Sequence, residues 1–348
     1  MAVTTAADVP VGVGFTPFED RLDVIDRVAA HAELRGMAFV SVAEAMSLAA
    51  PIVIARLAAR THRVGLATGV LSVWSRTPAT LALTAAELQQ HSSGRFVLGL
   101  GASTPPITEG FHGQRWQAPL ERVRQSIIAV RALLHGERLP DAPEGARPLR
   151  LARLPETPVP IALAAITPPS IRLAGALADQ WFPFLLPSAG LDDGRELMAA
   201  AAAEKGRSTT PTLTAAVPVA LAADEESASQ IAARWLLTYS SRMGPVYPRV
   251  LRAHGYHSEL DALLEANTDP RRPVLPAQAT RLADDVLLFG TYADAPQLLR
   301  HWQTHADALA LVAPFGLSPE DIVAVIDAVA APEPSAAASA AATSTDSW

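Results

Sequence analysis

Glu44 and His112 are the two side chains whose types best suit proton transfer. Glu44 follows an apolar run, residues 37–42, and His112 lies in a long polar stretch after another run. A half-buried carboxylate, or an imidazole near neutral pH, can exchange a proton with a bound molecule. Each also has a structural interpretation, which is an N-cap or an ion pair with Arg for Glu44 and an ordinary surface position for His112. We take both as candidate catalytic residues.

Two tryptophans and two hydroxyl residues extend this set of candidates. Trp74 and Trp116 can stack on a planar ligand, although burial as core aromatics is an equally good interpretation. Ser103 and Thr104 can donate hydrogen bonds to a ligand, or they can simply cap a turn. We therefore take the tryptophans as candidate substrate-binding residues and the hydroxyls as candidate cofactor ligands.

Several other chemistries are excluded or weakened by what the 348 residues lack. The chain has no Cys, which removes disulfides, thiolate metal sites and thiol nucleophiles. Lys205 is the only lysine, and the serine-hydrolase and zinc-protease motifs are absent. The glycine pairs at 12/14 and 99/101 follow strands but lack the third glycine and the immediate helix of a dinucleotide fingerprint. The scattered histidines predict no metal site, and a net charge of -7 argues against a nucleic-acid partner.

Eight apolar runs must position these candidates. They alternate with segments of helical periodicity, which is the pattern of parallel strands with helical crossovers buried on both faces. The predicted strands are 9–15, 37–42, 64–70, 95–100, 159–165, 178–184, 212–221 and 308–312. Predicted helices cover 19–35, 49–60, 77–91, 169–177, 189–205, 224–241, 293–305 and 318–330, and an irregular or partly helical insertion runs from 242 to about 290. Eight such units favour a (β/α)₈ TIM barrel with insertions over an open doubly wound sheet.

One block has a more specific pattern. It runs from Arg63 through Thr68-Gly69-Val70 and Arg76-Thr77-Pro78 to Ser93-Gly94-Arg95-Phe96 and Gly101. This block resembles the luciferase-like flavin and deazaflavin oxidoreductase superfamily. Weaker matches extend the resemblance over about residues 9–330.

The resemblance implies a barrel that holds a flavin or a deazaflavin at the carboxyl ends of its strands. The similarity is greatest to members that use coenzyme F420, such as methylenetetrahydromethanopterin reductase, which implies hydride transfer to a small organic substrate. An FMN-dependent monooxygenase, supplied with reduced flavin by a separate reductase, is the alternative. A flavin-binding protein without catalysis is a second alternative.

The resemblance also implies which residues hold the cofactor. Thr68, Gly69 and Val70 end the third strand, where relatives have a non-proline cis peptide bond, here between Gly69 and Val70. The segment Ala164, Ala165, Ile166 and Thr167 matches the phosphate loop of the family, and Ser103 and Thr104 add hydroxyl groups. Because Lys is almost absent, backbone N–H groups, hydroxyls and a helix N-terminus are expected to bind the phosphate.

The remaining predictions concern organisation. Residues 1–330 are predicted to form one barrel domain, and the Ala/Ser-rich segment 331–348 a disordered tail. No targeting segment or membrane span is visible, which favours a cytoplasmic protein without a membrane partner. The apolar outer helices at 49–60 and 77–91 make a homodimer the expected assembly.

Overall fold

Eight parallel strands close into a barrel in the computed structural model, which describes residues 9–269 and 272–330. The described strand segments are β1 Val11–Phe15, β2 Phe39–Val42, β3 Gly65–Thr68, β4 Leu71–Ser72, β5 Phe96–Gly101, β6 Ile161–Leu163, β7 Gln180–Trp181, β8 Thr212–Ala222, β9 Leu288–Thr291 and β10 Ala308–Ala313. The hydrogen-bonded circuit runs β10, β1, β2, β3, β5, β6, β7 and β8, and β8 returns to β10. The predicted fold class and its eight strands are confirmed.

Two segments are additional to these eight strands. β4 continues the direction of β3 after a two-residue corner and pairs with the end of β5. β9 lies inside the predicted insertion and pairs with the last four residues of β8, beyond the register that β8 shares with β10. The predicted third strand is thus interrupted at residues 69–70.

Thirteen α-helices accompany the strands in the described part of the chain. They are α1 Leu22–Leu34, α2 Ala50–Ala58, α3 Pro78–His91, α4 Pro105–Gly110, α5 Pro119–Leu134, α6 Pro168–Leu177, α7 Ser188–Glu204, α8 Glu225–Ser241, α9 Val246–Ala253, α10 His257–Ala266, α11 Thr280–Val286, α12 Ala295–Gln303 and α13 Pro319–Val329. Proline occupies the first turn of many of them, where its missing N–H leaves no helical bond unmade. No helix among residues 9–269 and 272–330 is long and apolar enough to cross a membrane.

The strands are buried because helices cover their outer faces and side chains fill the barrel. All six residues of β10 and ten of the eleven in β8 are buried. Full burial of a large aliphatic side chain contributes about 1.5–3 kcal/mol, so this core dominates the stability of the fold. Ile52 on α2 and Leu83 on α3 remain 73% and 55% exposed, and the homodimer stays a prediction.

Glu33 anchors the amino-terminal end of the barrel. Its carboxylate accepts hydrogen bonds from the backbone N–H groups of His62, Arg63 and Val64, at the start of the third strand. Partial burial opposes ionisation, but these three donors prevail and lower the pKa of Glu33 to about 2. These contacts stabilise the amino-terminal end of the barrel, opposite to the carboxyl ends of the strands.

The predicted tail, residues 331–348, lies outside the described residues. The long segment after α5 pairs with itself through Leu139 and Leu149, and it reaches Gly94 at the amino-terminal end of β5 through Thr157. It therefore lies away from the carboxyl ends of the strands, as its place after a helix predicts.

Candidate functional site

A cavity of about 370 Å³ opens at the carboxyl ends of the barrel strands. Small residues at these strand ends form its floor, namely Gly14, Gly69, Gly101, Ala164 and Ala216. A Cβ atom at Gly101 would lie 2.9 Å from Val70 Cγ2, so a larger residue there would displace its neighbour. The strand ends are thus kept thin, which leaves room for a flat ligand.

The third strand bends at the floor of this cavity. The peptide bond between Gly69 and Val70 is cis, as the resemblance implied. Gly69 donates its N–H to the carbonyl of Val42, and the Val70 carbonyl accepts from the N–H of Glu44. Both residues of the cis peptide line the cavity, so this corner forms part of its wall.

The side chain of Thr68 is not part of the cavity surface. Its hydroxyl donates to the carbonyl of Gly99 at 3.0 Å and accepts from the Gly99 N–H at 2.8 Å. Thr68 is fully buried, because successive side chains of a strand point to opposite faces. The hydroxyl of Thr68 therefore holds β3 against β5, and contact between Thr68 and the cofactor stays a prediction.

Glu44 lines the cavity, but its carboxylate is already engaged. Arg76 donates to both oxygens, at 2.5 and 3.0 Å, and the N–H of Ala50 donates to one of them at 3.0 Å. Glu44 therefore combines the two structural interpretations, an ion pair with Arg and a cap at the start of α2. These three contacts give the Glu44 carboxylate a structural role, and its role in catalysis stays a prediction.

We predict that Glu44 and Arg76 are energetically coupled. Their side chains are only 8% and 21% exposed, so removing either leaves a partly buried charge without its partner. Glu44→Ala and Arg76→Ala should each lower the free energy of unfolding by about 2 kcal/mol, and the double variant by less than the sum. Urea denaturation of the four proteins measures the coupling. The more exposed pair of Asp26 and Arg56 is the matched control, expected to couple by at most about 1 kcal/mol. Additive losses at Glu44 and Arg76 would refute this role.

The predicted phosphate loop forms one edge of the cavity. Ala164, Ala165, Ile166 and Thr167 all line it, and the indole N–H of the buried Trp181 donates to the Ala165 carbonyl at 2.8 Å. At the start of α6, Thr167 donates its N–H to Ser170 Oγ, and the two hydroxyl groups lie 2.8 Å apart. The described part of the chain supplies no acceptor for the N–H groups of Ala165 and Ile166.

Prolines 168 and 169 occupy the first turn of α6 and carry no N–H. An anion at this edge therefore depends on the loop N–H groups and on the hydroxyls of Thr167 and Ser170, together with the positive end of the helix dipole.

The loop after β5 brings some of its candidates to the cavity and not others. Ser103, in a left-handed conformation with φ 65°, lines the cavity together with Thr104 and Trp116. His112 does not line the cavity and packs against Phe111 on the outer part of the loop. His112 is therefore separated from the cavity surface in this structure, and its catalytic role stays a prediction.

Trp74 supports the cavity wall from behind. Its ring lies 5.9 Å from that of Trp116, and the guanidinium of Arg122 lies over its other side at 5.4 Å. Trp74 is not among the lining residues and packs against Trp116, so its direct contact with a substrate stays a prediction. Trp116 keeps its place as a candidate substrate-binding residue.

Three aromatic residues that line the cavity were not predicted from the sequence as site residues. Phe184 follows β7, Tyr239 lies in the last turn of α8 and Tyr247 in the first turn of α9. Their rings lie 4.7–6.1 Å apart, and all three line the cavity. Tyr247 belongs to the insertion, which has no periodic pattern that could have placed it at the mouth.

Comparison with known proteins gives this geometry a family. A family model described as luciferase-like monooxygenase matches residues 2–317. The chain belongs to the luciferase-like monooxygenase family. The predicted family and its oxidoreductase class are confirmed. A relative from Mycobacterium tuberculosis, named "Putative coenzyme F420-dependent oxidoreductase Rv3520c", is 30% identical over 306 residues, which cover 79% of this chain and 86% of that protein.

Solved structures of the family share the fold. The coenzyme F420-dependent tetrahydromethanopterin reductase from Methanopyrus kandleri has a TM-score of 0.76 at 17% identity, covering 91% of this chain and 97% of its own. The oxygenating constituent of 3,6-diketocamphane monooxygenase from Pseudomonas putida, in complex with FMN, has a TM-score of 0.63 at 20% identity, covering 92% and 98%. Luciferase-like barrels with either cofactor therefore resemble this chain.

Proposed function

We propose that this luciferase-like protein is an oxidoreductase that transfers a hydride between coenzyme F420, a deazaflavin, and a small organic substrate. The observation that carries the proposal is the cavity itself, in which a thin apolar floor at residues 69–70 and 101 adjoins the phosphate-binding edge at 164–170. The choice of F420 is supported by the relative from Mycobacterium tuberculosis, which aligns over most of both chains.

The residues present fit such a cofactor. The floor of Gly14, Gly69 and Gly101 lacks side chains that would fill the space of a planar ring. The N–H groups of Ala165 and Ile166, with the hydroxyl of Ser170, would hold the phosphate at the edge. Glu44 is the only charged residue among the described lining residues, and Arg76 neutralises it. The ring would therefore lie between apolar walls and its phosphate among neutral donors.

When bound, the reduced deazaflavin would supply a hydride. The carbon that replaces a flavin nitrogen disfavours reaction with oxygen, so hydride transfer is the reaction that remains. The protein chain itself would position the cofactor ring and enclose it. Val70 and Ala164 would orient the ring from the floor, and Trp116 would limit the space above it. The segment around Gly244, whose Cβ position lies 3.8 Å from Thr104, brings the insertion onto the loop after β5 and restricts the entry of water.

FMN-dependent monooxygenation is the second candidate, because an FMN-bound relative shares this barrel at a TM-score of 0.63. The purified protein distinguishes the two. We expect tryptophan fluorescence titrations to give at least about tenfold tighter binding of F420 than of FMN. Tighter binding of FMN, or an FMN spectrum on the purified protein with turnover that requires oxygen, would overturn the F420 proposal.

A further inference from the structure

Two phenols occupy the cavity wall without hydrogen-bond partners among the described residues. Tyr239 is 4% exposed and Tyr247 is half-buried, and both line the cavity. Their rings meet edge to face at 5.0 Å, and the ring of Phe184 lies 4.7 Å from Tyr239. Neither hydroxyl bonds to any residue in 9–269 or 272–330. Each hydroxyl therefore keeps its hydrogen-bonding capacity for a molecule bound in the cavity, as a donor or an acceptor.

The charge of the cavity narrows the chemistry of that ligand. Glu44 is the only charged side chain on the described surface, and its carboxylate is held by Arg76 and Ala50. Away from the phosphate-binding edge at 164–170, a charged group on the ligand would lose its hydration without meeting a counter-ion, which is costly. An uncharged polar atom needs only hydrogen bonds, and the two phenols can donate them.

We propose that Tyr239 and Tyr247 bind the acceptor oxygen of a neutral, largely apolar substrate of the carbonyl class. This inference rests on the proposed function, because it identifies the substrate of the same cavity. Tyr239 in the last turn of α8 and Tyr247 in the first turn of α9 place their rings 5.0 Å apart on the cavity wall, so both phenols would be presented to the same ligand.

The protonation of the two phenols agrees with this role. Burial, and secondarily the neighbouring Tyr247, raises the pKa of Tyr239 well above its usual value, and burial raises the pKa of Tyr247 to about 12. Both groups consequently remain protonated, and able to donate, throughout the neutral and moderately alkaline range.

The test compares three six-membered-ring probes that differ in their polar group: cyclohexanone, cyclohexanecarboxylate and cyclohexane. Binding is measured on the full-length protein by saturation-transfer NMR, both with and without added cofactor. We expect cyclohexanone to bind more tightly than the other two. Tyr239→Phe and Tyr247→Phe should each weaken cyclohexanone about three- to tenfold and leave cyclohexane unchanged. Infrared spectra of the bound ketone should show the C=O stretch moving to higher frequency in each variant.

Tyr256→Phe is the matched control, because Tyr256 is also buried but donates to Asp285 elsewhere in the fold. Ser41→Ala removes a different lining hydroxyl, which lies beside Gly14 and Gly69 on the floor, and should leave the ketone affinity within about twofold. Unchanged affinity and C=O frequency in both Phe variants, tighter binding of the carboxylate, or no binding of the ketone would overturn the proposal. These measurements do not depend on which cofactor binds, so failure of the F420 proposal is recognised separately by the titration.

Discussion

Replacing Ala164 with Trp should abolish cofactor binding while the barrel remains folded. Ala164 is half-buried on the cavity surface, and its Cβ lies 3.5 Å from the Cβ position of Gly101 on the floor. An indole at this place would occupy the space that we assign to the cofactor ring. We expect the Kd for F420 to rise at least about 100-fold, equivalent to about 3 kcal/mol of lost binding free energy. Fluorescence titration measures it.

The matched control is Ala146→Trp, which places the same indole on an exposed loop outside the cavity. It should leave both the Kd and the thermal midpoint nearly unchanged. Ala164→Trp should lower the midpoint by only a few degrees, since the open cavity accommodates the added volume. If a folded Ala164→Trp protein binds F420 as the wild type does, the cofactor does not occupy this floor.

Replacing Ser170 with Asp should weaken the binding of phosphate-bearing cofactors selectively. Ser170 lines the phosphate edge at the third position of α6, so a carboxylate there would repel the cofactor phosphate and compete for the loop donors. We expect about 30-fold weaker binding of F420, and at most about threefold weaker binding of its phosphate-free deazaflavin core. The ratio of the two dissociation constants is the measurement.

The substitution should not harm the helix. Asp321 already occupies the same, third position of α13, where its N–H donates to Ser318 Oγ. A negative charge in the first turn also interacts favourably with the helix dipole. Ser170→Asn introduces a side chain of the same shape as Asp but without its charge. It should weaken F420 binding by less than about fivefold. Equal losses for the two ligands, or no loss for F420, would place the phosphate elsewhere.

Most of the barrel was predictable because its strands are buried on both faces. Continuous apolar runs such as 212–221 and 308–312 differ from amphipathic helices in length and pattern. Each of these two forms a strand that is one residue longer than predicted at its carboxyl end. β9 was not predictable, because its four residues pair only with the end of β8 and carry no pattern of their own.

The candidate site was predictable where the family motif fixes the backbone, and less so where side chains decide. Residues 69–70 and 164–167 line the cavity through main-chain geometry, which the motif preserves. Thr68 and Trp74 lie one layer away from the cavity, because strand alternation and packing determine which way a side chain points. Tyr239 on α8 and Tyr247 in the insertion reach the cavity only through tertiary folding.

Anaerobic turnover tests the central claim most directly. Wild-type protein is mixed with reduced F420 and a panel of neutral cyclic ketones in the absence of oxygen, and the absorbance of oxidised F420 is followed. We expect oxidised F420 and the alcohol to form in a one-to-one molar ratio, and we expect Ala164→Trp to abolish the reaction. No oxidation of F420 with any ketone, together with oxygen-dependent turnover when reduced FMN is supplied, would contradict it.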